Sequence, residues 1–144
     1  MIIPDVNLLV YAHNTDAPFH RTALAWWRDL LSSESAVGVP WAVVLGFVRL
    51  LSHPRVVERP LSPRLLLAEV RRWLELPQVC VLQAGPRHIE LLEELLDQAG
   101  AAGDLTTDAH LAALAIEHHC ILHSNDQDFA RFSGLRWHNP LARR

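Results

Sequence analysis

The chain has 144 residues, half of them hydrophobic and a fifth of them charged, which is the composition of an ordinary globular domain. Its formal net charge of −3 excludes the class of strongly basic proteins that hold nucleic acid by a global positive field. A nucleic-acid partner would have to be held by a local patch or through metal ions. We expect one domain spanning residues 1–144.

Membrane and secretory classes are also disfavoured by the sequence. No apolar run approaches the roughly 20 residues of a membrane span. No basic stretch precedes the apolar N-terminal residues, so we expect no signal peptide and a cytoplasmic protein. Cys80 and Cys120 each lie in a short apolar run and are predicted to be buried free thiols rather than a disulfide.

Short apolar runs alternate with helical patterns along the whole chain. The predicted strands are residues 1–4, 36–39, 78–82, 120–124 and 135–138. The predicted helices are residues 7–12, 18–33, 40–53, 63–76, 86–100 and 108–119, three of which have a proline in the first turn, namely Pro40, Pro63 and Pro86. This alternation predicts an α/β fold with a parallel sheet covered on both faces.

Three acids occupy comparable positions in this pattern. Asp5 follows the first predicted strand, Asp126 follows the strand at 120–124, and Asp108 begins the helix that leads into that strand. The active crevice of an open α/β sheet lies beyond the carboxyl ends of its strands. We therefore expect the three carboxylates to converge there.

Converging carboxylates indicate a particular chemistry. Two of them ~4 Å apart repel by about 4 kcal/mol at an effective dielectric constant of ~20. A fold resolves that repulsion by protonating one acid, by inserting a cation or by separating the charges. Oxygen-only ligand sets suit Mg²⁺ or Mn²⁺, the ions of metal-assisted phosphodiester hydrolysis.

Each acid also has an ordinary structural explanation. Asp5 is placed to cap the helix that begins near residue 6, Asp108 to complement a helix dipole, and Asp126 to form an Asx turn. Asp104 is either an alternative ligand or a loop acid. His110 either faces the site or is a helix histidine with a local partner.

The large side chains and the arginines leave further alternatives open. Four tryptophans at helical spacing are predicted to lie in the core or an interface, with stacking on an unpaired base as the alternative; they are Trp26, Trp27, Trp41 and Trp73. Arg49 and Arg55 are either contacts for RNA phosphate, or solvated surface residues, or partners of the site acids.

Three segments together resemble a known family. They are "PDVNLLVYAH", "LTTDAHLAALAIEHH" and "SNDQDFARFSGLRWHNPL", and they are similar to the PIN domain and, more closely, to VapC-type toxins of bacterial toxin–antitoxin pairs. The resemblance implies a Rossmann-like three-layer α/β/α fold with a five-stranded parallel sheet. It also implies an acidic site for Mg²⁺ or Mn²⁺, endoribonuclease activity on RNA, a VapB-type antitoxin partner and a homodimer.

The resemblance assigns roles residue by residue. It implies that Asp5, Asp108 and Asp126 are the metal-binding and catalytic acids. It implies supporting roles for four further residues, which are Asn7, Ser124, Asp128 and Arg49.

The chain departs from the family pattern at one position. The family usually carries Glu in the helix after the second strand, where this chain has Gly46, while Arg49 keeps the expected offset. No acid lies between Glu34 and Glu58. Three carboxylates still suffice for one Mg²⁺ but make a two-ion mechanism less favoured. Gly46 is expected to serve close packing or to leave room at the site.

Three functional hypotheses follow. The leading one is a Mg²⁺- or Mn²⁺-dependent endoribonuclease toxin. The alternative, motivated by Gly46, is a catalytically weak or inactive PIN-like scaffold that binds RNA or a protein partner. The third, a phosphatase with Asp5 as nucleophile, is disfavoured because that chemistry commonly pairs two acids as D-x-D and position 7 is Asn.

Overall fold

The fold alternates strands and helices as the sequence predicts. A computed structural model describes residues 1–100, 103 and 105–143. Its strands are β1 (Ile2–Pro4), β2 (Val37–Pro40), β3 (Val79–Leu82), β4 (Ile121–His123) and β5 (Trp137–His138). Its helices are α1 (Val6–His13), α2 (His20–Ser32), α3 (Trp41–Leu51), α4 (Pro63–Leu74), α5 (His88–Ala99) and α6 (Thr106–Glu117), followed by a 3₁₀ helix at Gln127–Arg131.

The five strands form one parallel sheet in the order β3-β2-β1-β4-β5. From β1 the chain passes to β2 and β3 on one side and then returns to place β4 and β5 on the other. This reversal makes the gap between the carboxyl ends of β1 and β4 the topological switch point, where α/β proteins form their sites. Pro4 and His123 are paired at those ends. The predicted five-stranded α/β fold is confirmed.

Most helix boundaries lie within two residues of the predictions, and three of the differences concern the proline positions and the acid site. Pro40 is the last residue of β2 and the N-cap of α3 rather than a first-turn residue, because its extended backbone (ψ 153°) keeps it paired with Leu82 of β3. Helix α5 begins at His88 rather than at Pro86. Helix α6 begins at Thr106, so Asp108 is its third residue and not its first.

The tryptophans differ from one another in burial, and so do the two cysteines, although the sequence pattern predicted the same environment for each group. Trp27 and Trp73 are buried and Trp26 is half-buried, but 54% of Trp41 is exposed. Of the two predicted positions, core or interface, the core position is therefore wrong for Trp41. Both cysteines are free as predicted, but Cys80 is exposed while Cys120 is buried, because β3 is an edge strand.

Within the residues that the structure describes, no helix combines the length and apolar character that a membrane span requires.

Gly46 lies where α3 approaches α1. It is buried in the middle of α3, and a Cβ atom added to it would lie 3.1 Å from Cγ2 of Val6, the first residue of α1. That contact is tighter than ordinary van der Waals distance, so a larger side chain would push against the residue that follows Asp5. Close packing, one of the two roles expected for Gly46, is what the structure shows.

The Gly46–Val6 contact predicts coupling between the two positions. Alanine favours a helix over glycine by about 1 kcal/mol, but at position 46 its methyl group would crowd Val6. We expect Gly46→Ala to be more favourable, by about 0.5–2 kcal/mol, in a Val6→Ala background than in the wild type. Urea unfolding of the wild type, both single variants and the double variant measures this coupling. Additive changes would contradict the packing role.

Candidate active site

Asp5 occupies the carboxyl end of β1 and is only 5% exposed. One oxygen, Oδ1, accepts a hydrogen bond from the backbone N–H of Val6 at 2.7 Å, and Oδ2 accepts one from the Ser124 hydroxyl at 2.6 Å. Asp5 is thus the N-cap of α1 and is also linked to the end of β4. The cap that we considered as an alternative is present, and it uses one of the two oxygens.

Ser124 connects the polar side chains of the site. It is fully buried, and its Oγ donates to Asp5 while accepting from Asn7 Nδ2 at 3.1 Å and from the backbone N–H of Asp126 at 3.0 Å. Asn7 therefore supports Asp5 through Ser124 rather than by direct contact. Two of the four predicted supporting residues, Asn7 and Ser124, lie in this network.

Asp126 follows β4 and begins the 3₁₀ helix. Its Oδ1 accepts a hydrogen bond from the backbone N–H of Asp128 at 2.9 Å, which is the Asx-turn geometry considered above. The Asp128 carboxylate lies 3.4 Å from Nε of Arg131. Asp126 is thus held by one oxygen, and Asp128 is partly neutralised by its own neighbour.

Asp108 shares an electrostatic environment with these acids. The pKa of its carboxyl is raised to about 6, chiefly by burial and then by repulsion from three carboxylates. Those carboxylates belong to Asp5, Asp126 and Asp128. Burial also raises the pKa of Asp5, against the hydrogen bonds from Ser124 and Val6, and Asp126 adds to the rise. The sheet topology thus brings the three predicted acids within range of one another's charge.

Other predicted participants are not part of this arrangement. Arg49 is exposed in the last turn of α3, and no ion pair within the described ranges joins it to the acids. Asp104 lies outside the described residues. Among the residues that are described, no three acidic, histidine or cysteine side chains already surround a single point as ion ligands would.

A histidine pair beside the site was not predicted. His110 Nδ1 lies 2.8 Å from Nε2 of the buried His88, and His88 Nδ1 lies 3.7 Å from the Glu117 carboxylate. Glu117 also accepts hydrogen bonds from the backbone N–H groups of Gly85 and Arg87, each at 3.0 Å. The seven-residue spacing of His110 and Glu117, which places both on one face of α6, was the available signal.

The PIN domain model matches residues 2–135 of the chain. The chain belongs to the PIN-domain family. This PIN domain is 47% identical over 141 residues to Ribonuclease VapC33 of Mycobacterium tuberculosis, an alignment that covers 98% of the chain and 99% of that relative. The resemblance noted in the sequence is confirmed.

Two further comparisons extend this result. Ribonuclease VapC37 of Mycobacterium tuberculosis is 39% identical to the PIN domain over 142 residues, covering 99% of each. Among solved structures, VapBC2 from Rickettsia felis bound to a promoter DNA fragment contains a chain of the same fold. That match has a TM-score of 0.66 at 19% identity and covers 96% of this PIN domain and 98% of that chain.

The raised pKa of Asp108 predicts that the stability of the protein depends on pH. Its folded-state pKa of about 6 lies above the ordinary value of 3.8, so folding favours the protonated acid. The stability that this preference contributes is present below about pH 4 and is lost as the pH rises through about 6. Asp108→Asn removes the ionisation and should become more stable relative to the wild type over that interval.

Urea unfolding in EDTA at several pH values between about 4 and 8 tests this expectation. The matched control is Asp97→Asn, which changes an exposed acid of α5 and should follow the wild type at every pH. A stability difference for Asp108→Asn that does not grow with pH would contradict the electrostatic repulsion.

The central position of Ser124 in the hydrogen-bond network predicts that removing its hydroxyl destabilises the protein. Ser124→Ala leaves the buried Asp5 oxygen without its donor and removes the acceptor for Asn7 and for the Asp126 N–H. We expect a loss of about 1–3 kcal/mol in the free energy of unfolding, measured by urea denaturation. Ser133→Ala, at an exposed serine, is the control. Equal effects of the two changes would show that the network adds no stability.

Proposed function

We propose that this PIN domain is a toxin ribonuclease of a type II toxin–antitoxin pair, which hydrolyses RNA phosphodiester bonds with Mg²⁺ or Mn²⁺. The observation that supports the proposal is that Asp5, Asp108 and Asp126 lie within range of one another's charge at the switch point of a PIN fold. Burial, and then repulsion from neighbouring carboxylates, raises the pKa of Asp108 to about 6. Two relatives of nearly full length, VapC33 and VapC37, are named ribonucleases.

The donor set fits a hard divalent cation. All three acids offer carboxylate oxygens, the ligands that Mg²⁺ and Mn²⁺ prefer, and a cation between them would offset the repulsion that Asp108 experiences. When bound, such an ion polarises a phosphoryl oxygen and lowers the pKa of a coordinated water. Because Gly46 supplies no fourth carboxylate, the proposal favours one ion.

The chain's own residues would divide the remaining work. Asp5 is fixed from two sides by Val6 and Ser124, so it presents its carboxylate in one orientation. Asp126 is held through Oδ1, which leaves Oδ2 for a ligand. Asp108 is half-buried in the first turn of α6. Because its pKa is raised to about 6, a bound cation would favour its ionised, metal-binding form.

The proposal includes a protein partner. The Rickettsia felis match is a VapBC2 assembly, and we expect this PIN domain to bind a VapB-type antitoxin and to form a homodimer. Large apolar side chains are exposed on α3 and α4, including Leu45 at 64% and Leu65 at 63%. Exposed apolar patches of this kind are typical of protein–protein contact surfaces.

The inactive scaffold stays the alternative, and Gly46 was the reason to consider it. The packing of Gly46 against Val6 gives that glycine a structural role that does not require loss of activity. The nuclease hypothesis is therefore favoured over the scaffold.

The central test is Asp5→Asn. Asparagine can still accept the hydrogen bond from Val6, so the cap of α1 survives, but the charge next to the ion is lost. We expect the rate of RNA cleavage to fall at least about 100-fold, because metal assistance supplies several kcal/mol. The measurement is the initial rate of cleavage of a labelled single-stranded RNA in Mg²⁺ and in EDTA.

Asp29→Asn, at an exposed acid of α2, is the matched control and should retain the wild-type rate. Cleavage in EDTA by the wild type and by Asp5→Asn alike would refute the metal-dependent mechanism. A wild type that cuts no RNA in either Mg²⁺ or Mn²⁺ would favour the scaffold.

A further inference from the structure

A second cleft lies beside the acids, at the carboxyl ends of β2 and β3. It has a volume of about 280 Å³, and its walls include Trp41, Gln83 and His110. This size is near the lower end of small-ligand sites, which span about 300–1,000 Å³. The cleft therefore suits one planar ring rather than a peptide segment.

The cleft lies one strand away from the acid site. Pro40 ends β2, which pairs with β1, and neighbouring strands lie about 4.8 Å apart. Trp41 therefore begins α3 one strand away from Asp5, which follows β1. On the other wall, His110 lies in the same part of α6 as Asp108, although their two-residue spacing points the side chains to different sides of the helix. A chain of nucleotides with one phosphate at the acids can place an adjacent base in this cleft.

Trp41 follows a backbone position that is fixed in the sheet, and about half of the residue is exposed. Its backbone follows Pro40, which is fixed by pairing with Leu82 in β3, yet 54% of the residue is exposed. Trp27 and Trp73, in contrast, are each 2% exposed. An exposed indole on a fixed backbone at the edge of a nuclease site can act as a stacking platform for an unpaired base.

His110 is oriented by buried neighbours. Its Nδ1 contacts His88 Nε2 at 2.8 Å, and the Glu117 carboxylate lies on the far side of His88 at 3.7 Å. Nε2 of His110 is the nitrogen left for a ligand. Together with the Gln83 amide it offers donors and acceptors to the edge of a base, which is how unpaired RNA bases are distinguished.

The composition of the cleft favours a base over a phosphate. Its described lining has no arginine or lysine, and the neighbouring acids repel anions. An aromatic face combined with an imidazole and an amide matches a neutral heteroaromatic ring.

We propose that this cleft, lined by Trp41, Gln83 and His110, is a subsite for one unpaired nucleobase next to the scissile phosphate. The base stacks on Trp41 and is read by His110 and Gln83. The inference rests on the proposed ribonuclease function, and it adds a determinant of substrate choice to that function.

The test measures the binding of short single-stranded RNA to the full chain in EDTA by fluorescence anisotropy. The probes are one hexanucleotide and six versions of it, each lacking the base at one position. We expect Trp41→Ala to weaken binding of the complete RNA by about 5- to 150-fold and Trp41→Phe to weaken it less. One of the abasic RNAs should bind the wild type as weakly as the complete RNA binds Trp41→Ala. For that abasic RNA, the affinities of the wild type and of Trp41→Ala should be equal.

Two controls separate stacking from other effects. Phe19→Ala changes another exposed aromatic side chain, 42% accessible and outside the cleft lining, and should leave affinity unchanged. His110→Ala should reduce the difference in affinity between RNAs that differ only in the base at the sensitive position. A thermal melt checks that each variant remains folded.

The possible results decide between the inference and its alternatives. Equal affinity of the wild type and Trp41→Ala, or an equal loss for every abasic RNA, overturns the base subsite. A changed sedimentation coefficient of Trp41→Ala with unchanged RNA affinity also overturns it and assigns Trp41 to a contact between chains. A wild type that binds none of the RNAs rejects the subsite. Trp41-dependent binding without cleavage in Mg²⁺ or Mn²⁺ supports the subsite and rejects the proposed nuclease function.

Discussion

The hydrogen bond from the Ser124 hydroxyl to Asp5 Oδ2, at 2.6 Å, is the contact on which the arrangement of the site depends. It joins the carboxyl ends of β1 and β4, which are adjacent in the sheet but 119 residues apart in sequence. The same hydroxyl accepts from Asn7 and from the backbone of Asp126. One buried oxygen therefore fixes the first acid, the residue that supports it and the turn that carries the last acid.

This contact holds together charges that repel one another. Burial raises the pKa values of Asp5 and Asp108, and for both residues neighbouring carboxylates add to the rise. A fold that placed these acids only for stability would gain by separating them or by exchanging one for an amide. Perturbed carboxylates at a switch point are instead typical of sites that bind a charged ligand.

The sequence predicted the fold well because its signals were local. Prolines and apolar runs marked most elements to within one or two residues, and the acids could be placed because parallel strands present their carboxyl ends at one edge. The exposure of Trp41 was not predictable, since helical periodicity does not reveal which helix face is left uncovered. The contact between His88 and His110 joins residues 22 apart on two helices, and only the packing of α5 on α6 brings them together.

Gly46 shows how packing and chemistry are connected in this chain. A side chain at position 46 would begin 3.1 Å from Val6 Cγ2, and Val6 donates the backbone N–H that fixes Asp5. A glutamate there would therefore press on the residue that orients the first acid. The chain thus lacks the fourth carboxylate at the position where α3 approaches α1 closely. The hydrogen bonds from Val6 and Ser124 fix the position of Asp5, so the close packing of Gly46 on Val6 and the orientation of the first acid depend on the same residue.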